Sequence, residues 1–144
     1  MPTPQYRLLP HTTDAYIEAG GSTFALALGN AGAGLFDTMC DVQAVSPKVV
    51  EEIHVEGADE LVLLYEWLET LLLKFELEHM VYSEFQVKLS TTTEGKLRID
   101  ATVRGERYDR GKHGAKVEVK AVTYHRMEIR REDSKTSVRF ILDL

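Results

Sequence analysis

Two stretches decide the fold: Asp59-Glu-Leu-Val-Leu-Leu-Tyr-Glu-Trp-Leu-Glu-Thr-Leu-Leu-Leu-Lys-Phe-Glu-Leu77, then Phe85-Gln-Val-Lys-Leu89 with Leu97-Arg-Ile-Asp-Ala-Thr-Val-Arg104. In the first, Leu61, Leu64, Leu68, Leu71 and Phe75 recur at helical spacing, and Tyr65 and Leu72 widen the stripe. The spacing predicts a helix from about Asp59 to Leu77. In the second, Phe85, Val87 and Leu89, then Leu97, Ile99, Ala101 and Val103, alternate with polar residues. A period of two is the mark of a strand with one buried face. Glu94-Gly95 between the runs predicts a hairpin turn.

Working outward, Lys48 to Glu56 reads as a strand broken by Gly57. Ala15 to Ala19 reads as a short strand ending at Gly20-Gly21. Ser22 is placed to cap a helix that carries Phe24, Leu28, Ala31 and Leu35 to about Thr38. Glycines 29, 32 and 34 lie inside that pattern. They lack the Gly-Lys-Ser/Thr ending of a phosphate loop and read as small residues that let a helix lie close to a sheet. Downstream, Val117, Val119 and Ala121 read as a strand. Two more, Met127 to Arg131 and Val138 to Leu142, flank the turn Glu132-Asp-Ser-Lys135. The expectation is an α+β fold: a single two-layer domain over 1–144, with two main helices on an antiparallel or mixed β-sheet.

The apolar fraction of 44% and charged fraction of 28% are those of an ordinary soluble globule. Leu61 to Phe75 is interrupted by Glu66, Glu69 and Lys74 and does not read as a membrane span, and the N-terminal residues do not read as a signal peptide. The one cysteine, Cys40, excludes an intrachain disulfide and fits a reducing compartment, hence a cytoplasmic protein. It reads as a buried thiol, with no glycine elbow or paired histidine to make it a nucleophile. The charge is uneven. Residues 1–95 carry 4 Lys/Arg against 15 Asp/Glu, whereas residues 96–144 carry 13 against 8. The basic third is either a solvated face paired with the acidic helices or a surface for phosphates or an acidic partner.

Two groups of residues carry possible chemistry. Asp14, Asp143 and the α-carboxylate of Leu144 are oxygen donors of the kind hard cations take, although they fill only part of a coordination shell. Gly105 to His125 mixes bases with His113 and His125 at a spacing that is not a zinc pattern. Lys112 and Lys120 are its candidate partner-binding charges, against the plainer reading of a basic loop and a polar strand face. There is no Ser/His/Asp order, no defensible carboxylate pair at a cleft and no aromatic RNA-binding signature, so no residue is assigned a catalytic role.

His11-Thr-Thr-Asp14 resembles the His-Thr-Ala-Asp motif of the archease family, with Thr13 where alanine is usual. Leu64-Tyr-Glu-Trp67 through Lys74-Phe75, Gly105-Glu106, Lys112-His113, Val119-Lys-Ala-Val-Thr-Tyr124 and Leu142-Asp143-Leu144 follow in that family's order. The resemblance implies a small α+β protein that is not itself an enzyme. It implies a partner, an RtcB-type RNA ligase of tRNA splicing, whose guanylylation and repeated turnover the protein promotes; contact with tRNA or GTP would be indirect, within the ligase complex. It also implies a calcium site, or one for magnesium or manganese, at Asp14, Asp143 and Leu144. A metal-dependent hydrolase using the same carboxylates, and a general chaperone or modulator of RNA-processing proteins, stand as the alternatives.

Overall fold

The computed structural model describes residues 5–9 and 14–144. The chain runs β1 (Tyr6–Leu9), β2 (Ala15–Gly21), α1 (Phe24–Met39), a 3-10 turn (Val42–Ala44), β3 (Val49–Gly57), α2 (Glu60–Glu78), β4 (Met80–Thr91) and β5 (Leu97–Arg107). A short α3 (Arg110–His113), β6 (Ala121–Glu132) and β7 (Lys135–Asp143) follow. The strands form two sheets, β1-β2-β7-β6 and β3-β5-β4, and every ladder is antiparallel.

Both main helices touch both sheets. For α1 the reason is in its sequence. It is buried almost all round, from Phe24 through Ala27, Gly32, Gly34 and Phe36 to Met39, as a helix enclosed on more than one side must be. A Cβ on Gly29 would lie 3.0 Å from the Phe85 carbonyl oxygen of β4, and one on Gly34 would lie 3.2 Å from Ile17 of β2. The small residues expected to admit one sheet therefore admit two. Helix α2 keeps a one-sided stripe, shifted from the one read in its sequence: Leu63, Leu64, Trp67, Leu68, Leu71 and Leu72 are buried, whereas Leu61 is exposed and Tyr65 and Phe75 are half-buried. Trp67 Nε1 donates to the Leu28 carbonyl of α1 at 2.8 Å, tying the helices together inside the core.

Several boundaries differ from expectation. Thr23, not Ser22, caps α1, accepting from the Leu26 amide at 3.1 Å. Val117 and Val119 do not join a strand. The Lys116 and Val117 amides instead donate to the Met39 and Thr38 carbonyls, closing the C-terminal end of α1. Strand β1 was not anticipated, because four residues without alternation give no period to detect.

Candidate functional site

Strands β2 and β7 pair in register from Gly21↔Thr136 to Ala15↔Leu142. Beyond that last pair, Asp14 lies in the bend just before β2 and Asp143 is the last residue of β7. The register thus brings to one end of the β2–β7 pair two residues that lie 129 positions apart in the chain. Strand β6 adds the pair Ala121↔Asp143, and the Lys120 amide donates to the Asp143 carbonyl at 2.7 Å. Asp14 is half-buried, while Asp143 is exposed and enters no ion pair among the described residues.

Leu144 and Asp14 line one cleft of about 440 Å³, between β1, the start of β2 and the last turn of α1. Its far wall carries Asp37, which accepts from Lys116 Nζ at 3.1 Å and from the Val42 amide at 3.3 Å. Burial and the hydrogen bond to Asp37 push the Tyr6 phenol well above its ordinary pKa. Sequence reading missed this wall, because Asp37, Lys116 and Tyr6 belong to no motif and meet only in the fold. His11, Thr12 and Thr13 of the motif lie outside the described residues.

The two candidate lysines have different settings. Lys112 Nζ lies 2.6 Å from Glu106 Oε2 and donates to Ser46 Oγ at 2.8 Å. Glu106 Oε2 also accepts from the Ser46 amide at 2.9 Å and from His113 Nε2 at 2.8 Å. These donors, Lys112 first, hold the Glu106 carboxyl down to about 2. His113 is fully buried. Its Nδ1 accepts the Asp109 amide at 2.9 Å, so the ring proton sits on Nε2 and points to Glu106. Lys112 and His113 thus fix the loop before β6 onto the body of the protein. Lys120 has no such side-chain partner among the described residues and sits beside the ladder end. Cys40 is buried, and that burial together with Asp37 pushes its thiol up to about 11, as expected of an inert core residue.

Among the described residues no group of three His, Cys, Asp or Glu side chains is gathered for a metal. The donor set at the ladder end therefore fits a cation only with the Leu144 carboxylate counted as a third donor. Hard oxygen donors in a partly solvated place, open to water ligands, suit calcium better than the strict octahedron of magnesium.

The model of the Archease protein family (MTH1598/TM1083) matches residues 6–144. The chain belongs to the archease family. The archease of Methanopyrus kandleri is 38% identical over 136 residues, covering 94% of this chain and 96% of that one. The archease of Thermococcus gammatolerans is 39% identical over 135 residues, covering 93% and 94%. The solution structure of Methanobacterium thermoautotrophicum protein 1598 superposes with a TM-score of 0.85 at 34% identity, covering 96% of this chain and 98% of that one. A crystal structure from Thermotoga maritima, named an archease and possible chaperone, superposes at 0.60 with 14% identity over 96% of each chain and shares the fold. These relatives bear out the family and the α+β fold of helices on antiparallel sheets. Among the described residues no helix is long and apolar enough to cross a membrane.

Proposed function

We propose that this chain is a cytoplasmic, non-catalytic activator of an RtcB-type RNA ligase, promoting ligase guanylylation and repeated turnover in tRNA exon joining. The observation that carries the reading is the ladder end. Asp14 precedes β2 and Asp143 ends β7 at the same end of this inner strand pair, Leu144 lines the cleft beside Asp14, and the Lys120 amide donates to the Asp143 carbonyl. Asp14, Asp143 and the Leu144 carboxylate would hold a divalent cation, calcium by preference, or magnesium or manganese. When bound, such a cation supplies positive charge that polyphosphate oxygens accept. The chain's own part is to hold those donors on a rigid ladder and to offer Lys120 as a further cation beside them.

Ligation of RNA ends by the cognate ligase, with and without this protein, tests the reading. Repeated turnover only in its presence is the expected result. A ligase that turns over equally well alone would overturn it. Hydrolysis of GTP or RNA by the isolated protein would move the assignment to a metal-dependent hydrolase.

A further inference from the structure

A second surface lies on the flank of α2 that the sheets leave uncovered. The four-stranded sheet ends at β6, and β6 is irregular there. Thr123 pairs with Ile141 and Glu128 with Arg139, so residues 124–127 together oppose Phe140 alone. Within this bulge Arg126 adopts φ 57°, the left-handed region that a residue with a Cβ rarely enters. Bulges of this kind re-aim side chains, and this one sets Tyr124 against α2. Its ring stacks on Tyr65 with centroids 4.3 Å apart and planes within 8°. That stack covers one face of Tyr124, yet the residue is 50% exposed, so the other face is open.

Helix α2, which carries Tyr65, has a particular chemistry on this flank. Leu61, Tyr65, Glu69 and Leu73 follow at intervals of four, in a row that drifts about 40° per step round the helix. Leu61 and Leu73 are exposed. Glu66 and Glu69 enter no ion pair among the described residues. Partial burial, then the charges of Glu76 and Glu66, raise the Glu69 carboxyl above its ordinary range. Partial burial, then Glu66, raises the Tyr124 phenol. The patch is therefore apolar, aromatic and negative, and no cation of the described chain is paired with its carboxylates.

We propose that this face docks a partner protein through an arginine side chain, its guanidinium over the open face of Tyr124 and toward Glu66 and Glu69, with neighbouring apolar side chains on Leu61 and Leu73. A planar, weakly hydrated guanidinium is the group that gains from a ring face and from carboxylates at once. Lysine satisfies the carboxylates but is a more strongly hydrated point charge. Nucleic acid is disfavoured, since the same carboxylates repel phosphates. An acidic partner would turn instead to His125 and Arg126, the next residues of the bulge.

The test uses the isotope-labelled full chain and needs no ligase, so its outcome is separate from that of the ligase-activator reading. Hexa-arginine, hexa-lysine and hexa-glutamate peptides are titrated while backbone amide shifts are followed. Hexa-arginine is expected to move Tyr65, Glu66, Glu69 and Tyr124, binding roughly threefold tighter than hexa-lysine, as an exposed cation–π contact implies. Tyr124→Leu should remove that difference and Tyr124→Phe should keep it, both with unchanged melting; Glu66→Gln with Glu69→Gln should weaken both basic peptides. Equal binding of the two basic peptides, shifts confined to other surfaces, or binding unaffected by Tyr124→Leu would overturn the proposal. Shifts drawn at His125 and Arg126 by hexa-glutamate alone would assign the bulge to an acidic partner and overturn it equally.

Discussion

Glu106 and Asp143 are two carboxylates of one small protein, in opposite circumstances. Glu106 is enclosed by the Ser46 amide, Lys112 and buried His113, each spending a donor on it. Asp143 stands at the free end of a ladder with its side chain exposed and unpaired among the described residues. The first arrangement fastens the loop between β5 and β6 to the body. The second is open to whatever arrives from solution. The same division separates Lys112, consumed by Glu106, from Lys120. Motif resemblance alone groups all of these residues together, and the difference in their partners is what sorts structural from available chemistry.

The comparison breaks most decisively at Asp14. Asp14→Ala is expected to abolish stimulation of the cognate ligase while the fold survives, since it opens no core cavity. Full stimulation by this variant would remove the ladder end from the mechanism.

His113→Ala should do the reverse. It empties a fully buried position and strips the Asp109 amide and Glu106 of partners, so a loss of about 2–4 kcal/mol in chemical denaturation is expected. Residual folded protein should still activate the ligase. A neutral result would mean that the Glu106 cluster fastens nothing.

A third effect is smaller and depends on pH. The Glu106 carboxyl is depressed from an ordinary 4.5 to about 2. A depressed carboxyl contributes stability that is present above its unfolded value and is lost as pH falls through the folded value. Thermal melts should therefore weaken as pH drops from about 4.5 towards 2. In Glu106→Gln that part of the slope should flatten. An unchanged acid profile in the variant would assign the acid sensitivity to other carboxylates.

The lysines sharpen the comparison with the smallest effect. Lys120→Glu should slow association with the ligase severalfold, and the deficit should shrink as salt rises, because exposed charges are screened beyond about 10 Å at 0.1 M. Lys112→Glu should instead lower the melting temperature, with like charges placed together at Glu106. Stopped-flow association and thermal melts on the same two variants check both halves.

What the sequence showed depended on the range of the interaction. Helix α2 was readable because its stripe is local, and so was the β4–β5 hairpin with its Glu94-Gly95 turn. The close packing at Gly29 and Gly34 was readable from residue size, although not that a second sheet lies behind the helix. Strand β1 was too short to show a period, and Val117 and Val119 alternated without entering a ladder because their segment was taken up in closing α1. At the site, Asp14 and Asp143 were recognisable as donors by type and by family resemblance. That they lie at the same end of one strand pair is a matter of register between β2 and β7, which no spacing encodes. The Asp37–Lys116–Tyr6 wall and the enclosure of Glu106 arise from contacts between elements distant in the chain, and neither left a local signal beyond the pairing of Gly105-Glu106 with Lys112-His113.

The central claim is that the ladder-end carboxylates hold a divalent cation together. Calorimetric titration of calcium into the wild-type protein and into Asp143→Asn, at equal melting temperature, tests it most directly. The account predicts one calcium bound per wild-type chain and none, or far weaker binding, in the variant. No heat with the wild type, or identical heat with the variant, would contradict it.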